Sequence, residues 1–253
     1  MRGAGGAAHR SWYPRHMLAP DTLSLLIPVG GLILISAAAR TIHFELFEKY
    51  FKLTFADAPV WSLFYFSAWA TLVARLFPAQ ILALFAGVSS LGYLALAFML
   101  LVVFPALYHA MRKNSGSPEW LAAIYPGEGM LTLGERYILA KIADVVFQQF
   151  IAGVLILVLS AGGVPYPAIV GVFVGLFAAA HLYIFSTDGL LWGLYYTTYA
   201  ALAGFAFPFL ILFVSGGIMY AILIHMLFYV LSGIFFAKLP RPGAAIAREF
   251  SGA

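Results

Sequence analysis

Residues 137–160 read YILAKIADVVFQQFIAGVLILVLS, an apolar stretch that assigns the chain to the helical membrane proteins. The stretch is longer than the ~18 residues that mark a membrane-spanning helix, and its two ionisable side chains, Lys141 and Asp144, lie in its first third. Further apolar stretches follow at 168–185, 190–214 and 218–236. Because the connections between them are short, we expect these four helices to form an antiparallel cluster.

The composition of the whole chain agrees with this assignment. Hydrophobic residues make up 63% of the 253 residues and charged residues only 9%, against roughly 25% charged residues in a soluble domain. This balance excludes a soluble fold and predicts a lipid bilayer as the main partner. The absence of cysteine excludes disulfides, thiolate metal sites and a cysteine nucleophile. The net charge of +4 is not typical of a nucleic-acid-binding protein.

The first half of the chain predicts three more spans. Residues 22–39 predict the first, and residues 40–52, where charged and aromatic side chains alternate, predict a helix that lies in the membrane interface. Residues 59–107 are about twice the length of one span and predict two helices, with a break near 75–78. Residues 114–134 predict a polar loop, because they contain several Gly and Pro turn signals.

The predicted fold is therefore an all-α, polytopic integral membrane bundle of about seven transmembrane helices, with eight as the alternative. Basic residues in both tails favour a cytoplasmic location for both ends, which seven crossings do not allow, so the sequence leaves the orientation open. The first 20 residues contain no apolar run, and we expect no cleavable signal peptide. The predicted organisation is a disordered basic tail (1–21), N-terminal membrane helices with the interfacial segment and polar loop (22–136), a core of four membrane helices (137–236) and a basic C-terminal tail (237–253).

Polar side chains inside the last four spans form the candidate site, because an ionisable group at membrane depth costs several kcal/mol unless it is paired or faces water. Asp144 and Gln148 share one face of the fourth span. His181 lies near the end of the fifth span and His225 near the middle of the seventh. One carboxylate and two imidazoles at similar depth can activate a water molecule, or bind a divalent metal such as zinc.

Simpler interpretations of the same residues are structural. A single histidine in a membrane often only forms a hydrogen bond to a neighbouring helix, and Asp144 can pair with Lys141 three residues earlier. Gln148 and Gln149 are side chains of the kind that hold packed helices together. The residues alone leave the catalytic and the structural interpretations open.

Three segments in order, Asp144 to Gln148, Phe177 to His181 and His225 to Tyr229, resemble the motifs of the CPBP family of intramembrane proteases, which includes CAAX prenyl proteases and bacteriocin-processing enzymes. That family carries Glu-Glu-x-x-x-Arg, Phe-x-x-x-His and His-x-x-x-Asn/Asp on successive membrane helices. The second motif is intact here as Phe177-Ala-Ala-Ala-His181, and the third begins with His225. The resemblance covers about residues 137–236 and implies a CPBP-like core of four membrane helices.

The chain departs from the family at the charged positions of the first motif. The two glutamates are Ala143 and Asp144, the arginine is Gln148, and the residue that ends the third motif is Tyr229. Loss of one glutamate together with the arginine removes an ion pair and keeps the interior neutral. We therefore expect Asp144 to be protonated, or to share a proton or a cation with a histidine, while Gln148 and Tyr229 supply neutral hydrogen bonds.

The resemblance implies an intramembrane endopeptidase that acts on a membrane-embedded peptide or protein, with proteolysis weakened or lost through the changed first motif. Its candidate catalytic residues are Asp144, Gln148, His181, His225 and Tyr229. One alternative is a non-catalytic relative that binds a partner subunit, and another is a small transporter or channel subunit with a polar site at the membrane midplane. The expected location is the cytoplasmic (inner) membrane of a prokaryote.

Overall fold

The structure is a computed structural model that describes residues 22–53, 58–115, 135–182, 185 and 190–238. All regular structure within these residues is helical, and they contain no strand, which confirms the all-α prediction for this part of the chain. Two π-helical segments, Ile42–Tyr50 and Met99–Val103, continue the α-helices that precede them. The α-helices in chain order are α1 (Thr22–Thr41), α2 (Pro59–Leu76), α3 (Pro78–Leu84), α4 (Ser90–Phe98), α5 (Phe104–Ser115), α6 (Glu135–Ala161), α7 (Tyr166–Ala179), α8 (Leu190–Phe213) and α9 (Gly217–Lys238).

Several of these helices have the length and composition of membrane spans. The described residues contain four such stretches: Leu25–Tyr50, Ser90–Leu107, Ile138–Ala161 and Gly193–Phe213. A fifth is added if α2 and α3, which are bent by 105° relative to each other, form one broken span. Tyr166–Ala179 and Gly217–Ser232 are apolar but shorter. Length and composition thus indicate a membrane protein with four or five spans of full length among the described residues, and the seven or eight spans expected stay a prediction.

The predicted break near 75–78 is confirmed. Phe77 separates α2 from α3 with φ −127° and ψ 52°, because the residue before a proline is disfavoured in the α region and Pro78 begins the next helix. The prediction of only two helices over 59–107 is wrong. A turn through Gly87, whose φ of +80° suits glycine, divides the second one, and the Ser89 side chain caps α4 by accepting a hydrogen bond from the Gly92 N–H.

Two other helix ends differ from the predictions. The interfacial helix expected over 40–52 is a π-helical continuation of α1, and Leu25–Tyr50 forms one long helical stretch. The span expected over 168–185 is shorter, because α7 ends at Ala179 and His181 lies in the turn that follows. The short connections expected after α6 and before α9 are present as turns.

Helix α6 lies at the centre of the bundle. Most of its apolar stretch is buried inside the protein, whereas most of the stretch formed by α1 and its π-helical continuation is exposed. Its most extensive contact is with α2, and it also packs against α1, α3, α5, α7, α8 and α9. The N-terminal helices therefore complete the core expected over 137–236 and bring residues of α1 and α2 to the polar side chains of α6.

Three of the predicted regions lie largely outside the described residues. These are the N-terminal tail over 1–21, the polar loop over 114–134, of which only the end of α5 is described, and the C-terminal tail over 237–253, of which only the end of α9 is described.

Candidate functional site

The Asp144 carboxylate on α6 is fully buried and accepts hydrogen bonds from three side chains. Lys141 Nζ, one turn earlier on the same helix, donates to Oδ2 at 2.6 Å. Gln148 Nε2, one turn later, donates to Oδ1 at 3.0 Å. Arg40, at the end of α1, forms a bidentate ion pair in which Nη1 lies 3.4 Å from Oδ2 and Nη2 contacts Oδ1. The carboxylate is thus clamped between two cations from two different helices.

This arrangement changes the sequence-based interpretation of Asp144. The expected pairing with Lys141 is confirmed. The expectation that Asp144 is protonated, or shares a proton or cation with a histidine, is wrong, because Arg40 and Lys141 compensate its charge. Sequence reasoning placed Arg40 in an interfacial segment and missed it, since its partner is 104 residues away.

Two of the donors to Asp144 differ in charge and in origin. Gln148 donates a neutral hydrogen bond from the same helix, as expected. Arg40 brings a guanidinium to the carboxylate from α1. A guanidinium suits this bidentate contact better than a lysine ammonium would, because it presents a planar fork of N–H groups to the two carboxylate oxygens.

A chain of side chains connects Asp144 to His225 of α9. The Lys141 ammonium lies over the Tyr229 ring, 4.6 Å from its centroid. The Tyr229 ring stacks on the His225 imidazole at a centroid distance of 5.3 Å and an interplanar angle of 19°. Gln149 Nε2 donates to His225 Nδ1 at 2.9 Å. Tyr229 therefore acts through its ring, whereas the sequence predicted a hydrogen bond from its hydroxyl.

His181 occupies a different local setting from His225. Its Nδ1–H donates to the carbonyl oxygen of Phe177 at 2.7 Å, so the two named residues of the Phe-x-x-x-His motif are joined directly across the end of α7. The His181 ring is partly buried. Among the described contacts, Asp144 and His225 are linked by a continuous series, and His181 is not part of it.

The same contacts argue against the predicted metal site. Among the described residues, no group of three His, Asp or Glu side chains is placed to hold a metal ion. Both Asp144 oxygens accept hydrogen bonds from cations, and Nδ1 of each candidate histidine is already hydrogen-bonded. A metal at Asp144 would have to displace one of these cations, whereas the bonds at Nδ1 leave Nε2 of both histidines unaffected.

A second buried polar cluster lies between the π-helical continuation of α1 and α2. His43 and Ser62 are both buried, and the His43 ring contacts Glu48 through one nitrogen and Ser62 through the other. No sequence motif marks this cluster. In the sequence, the cluster could be recognised only because His43, Glu48 and Ser62 are polar residues among apolar and aromatic ones.

No protein-family model, no curated protein and no solved structure matches this chain. The resemblance to the CPBP family therefore stays a prediction that rests on its motifs.

Proposed function

We propose that this chain is an integral protein of a prokaryotic cytoplasmic membrane, with a CPBP-like core that no longer cleaves peptide bonds and serves as a non-catalytic binding or assembly subunit. The observation that carries the proposal is the clamped carboxylate of Asp144, held between Arg40 and Lys141.

A carboxylate that activates water must have a lone pair directed at that water. The Asp144 oxygens instead accept hydrogen bonds from Arg40, Lys141 and Gln148 in a fully buried position. A water molecule could bind only by displacing one of these donors. Asp144 is better suited to hold α1 and α6 together than to act as a general base.

The histidines support the same conclusion. His225 Nδ1 is bonded to Gln149 and its ring is stacked on Tyr229, while His181 Nδ1 donates to a backbone carbonyl. Neither of these bonds joins a histidine to Asp144, so the described contacts contain no direct carboxylate–histidine pair. The Gln149–His225 bond joins α6 to α9, whereas the His181 bond stays within the end of α7.

The proposed topology has seven crossings. They comprise the four long apolar stretches, the bent pair of α2 and α3 as one broken span, and the two shorter apolar helices. An odd number of crossings places the two ends of the chain on opposite sides of the membrane.

Because the chain contains no cysteine, single introduced cysteines can be labelled selectively to test this topology. Single cysteines introduced by Ala7→Cys and Ala245→Cys should react with a membrane-impermeant maleimide from opposite sides of the membrane, measured in intact and lysed spheroplasts. The wild-type chain is the control and should take up no label. Labelling of both cysteines from the same side would show an even number of crossings and contradict the seven-span proposal.

The loss of proteolysis is tested with protein reconstituted into liposomes. The wild-type chain should leave membrane-embedded peptides intact under conditions in which an active CAAX-type protease cleaves them. Ala143→Glu combined with Gln148→Arg restores the first glutamate and the arginine of the family's first motif and should produce cleavage, measured by mass spectrometry of the products. The matched control, Ala143→Gln with Gln148→Arg, lacks the added carboxylate and should stay inactive. Cleavage by the wild-type chain that disappears in Asp144→Asn would overturn the proposal.

A further inference from the structure

His43 connects a carboxylate and a hydroxyl through the two nitrogens of its ring. Nδ1 lies 2.9 Å from Glu48 Oε1, and Nε2 lies 3.2 Å from Ser62 Oγ. Both distances are within the range expected for a base and its partners in covalent catalysis. Burying ionisable groups inside membrane-spanning helices costs free energy, so a buried set of this kind is a candidate functional site.

The π-helical backbone is what brings Glu48 to His43. The two residues are five apart, and five residues of an ordinary α-helix turn through about 500°, which would place them on different faces. A π-helix closes its hydrogen bonds from i to i+5, so that residues five apart lie near each other. The Phe51 N–H donates to the Leu46 carbonyl with this spacing, at 3.1 Å. A rare backbone form therefore aligns the carboxylate with the ring.

The hydrogen-bond directions follow from the chemistry of the three groups. A carboxylate only accepts, so His43 Nδ1–H donates to Glu48. That tautomer leaves a lone pair on Nε2, which accepts the Ser62 hydroxyl proton. The order carboxylate, imidazole and hydroxyl is that of the triad in serine hydrolases, which is recognised by geometry and not by sequence position.

We propose that Ser62 is a nucleophile activated by His43, with Glu48 as the positioning residue, in a site that hydrolyses carboxylic esters of apolar acyl chains. The site is separate from Asp144, and the non-catalytic role proposed above concerns only the CPBP-like core around that residue.

The surroundings of the cluster define the substrate class. The Tyr65 and Phe66 rings lie 5.3 and 5.0 Å from the His43 ring, and Phe47 packs on Trp61 at 4.8 Å. Aromatic walls favour an apolar acyl group over a charged one. Ser62 itself has no exposed surface, whereas its neighbour Trp61 is 37% exposed. The acyl chain would therefore have to reach Ser62 from the lipid side, past these aromatic rings.

The reaction balances without any additional reagent apart from water. The Ser62 oxygen attacks the ester carbonyl carbon while His43 Nε2 takes the hydroxyl proton. The bond to the alkoxy group breaks, and His43 returns the proton to the departing alcohol. Water then attacks the acyl-Ser62 ester, with His43 again taking and returning a proton, which releases the carboxylic acid. Ser62 is the fourth residue of α2 and its N–H donates to the Ala58 carbonyl, so the positive end of the helix dipole, and not this N–H, would stabilise the oxyanion.

The test uses the full chain purified in detergent and an octyl fluorophosphonate probe, which phosphonylates activated serines. We expect one adduct on the wild-type protein, located at Ser62 by peptide mass spectrometry, and none on Ser62→Ala. His43→Gln removes the base and should slow labelling on the order of 100-fold. Glu48→Gln should slow labelling. Glu48→Asp should label faster than Glu48→Gln, because it keeps a carboxylate that can accept the hydrogen bond from His43 Nδ1–H. Ser67→Ala, which changes an exposed serine of the same helix, should label as the wild type does.

Two results would overturn the proposal. One is a wild-type chain that takes up no probe while a serine hydrolase in the same mixture is labelled, since the contact between His43 and Ser62 would then only tie the two helices together. The other is an adduct that persists in Ser62→Ala. The substrate class is tested with p-nitrophenyl esters, and faster hydrolysis of the acetyl than of the octanoyl ester would refute the preference for apolar chains.

Discussion

Asp144→Ala should lower the free energy of unfolding by about 3–5 kcal/mol, because it leaves the buried Lys141 ammonium without its carboxylate. Lys141 is only 4% exposed and Asp144 is fully buried, so water cannot take the place of the lost partner without opening the bundle. The loss is measured by equilibrium unfolding of the purified chain in mixed detergent micelles.

The reciprocal change provides the matched control for this prediction. Lys141→Met should cost less than Asp144→Ala, because Asp144 keeps Arg40 and Gln148 as donors. The double variant Asp144→Leu with Lys141→Met should recover part of the loss, since replacing a buried pair by apolar residues is often close to neutral. Equal losses for the two single variants would contradict the view that one carboxylate compensates two cations.

Gly204→Ala should be the second strongly destabilising change, with a loss of about 1–3 kcal/mol from overpacking. A Cβ atom at Gly204 of α8 would lie 2.7 Å from Val174 Cα and 2.8 Å from Val174 N on α7. These are backbone atoms that cannot rotate away, so the two helices would have to separate. Small residues allow such close approach in membrane helices.

Gly175→Ala is the control for the Gly204 prediction. It lies on α7 next to Val174, and a Cβ atom there meets nothing within 4 Å. Because glycine is about 1 kcal/mol less favourable than alanine inside a helix, this change should leave the thermal unfolding temperature in detergent unchanged or raise it. If Gly204→Ala proved as well tolerated as Gly175→Ala, the close approach of α7 and α8 would be disproved.

Helix positions were mostly predictable from hydropathy and proline. Helices α6, α8 and α9 begin and end within two residues of the predicted spans. The end of α7 was not predictable, because the residues after Ala179 remain apolar and hydropathy does not mark where the helix stops. The π-helical segment after α1 was also not predictable, since π and α backbones have no distinct hydropathy signal.

The sequence alone determined which residues share a helix face. Lys141, Asp144 and Gln148 are spaced by three and four residues, so any α-helix places them next to one another. Their mutual contacts therefore follow from local geometry and were accessible before any tertiary information.

The partners from other helices were decided only by the tertiary structure. Periodicity shows which face of a helix turns inward, but it does not show which neighbouring helix meets that face. Packing of α1 and α2 against α6 brings Arg40 to Asp144 across 104 residues, and packing of α2 against the π-helical segment brings Ser62 to His43. The first contact gives a buried carboxylate a second cation, and this observation supports the structural role proposed for Asp144.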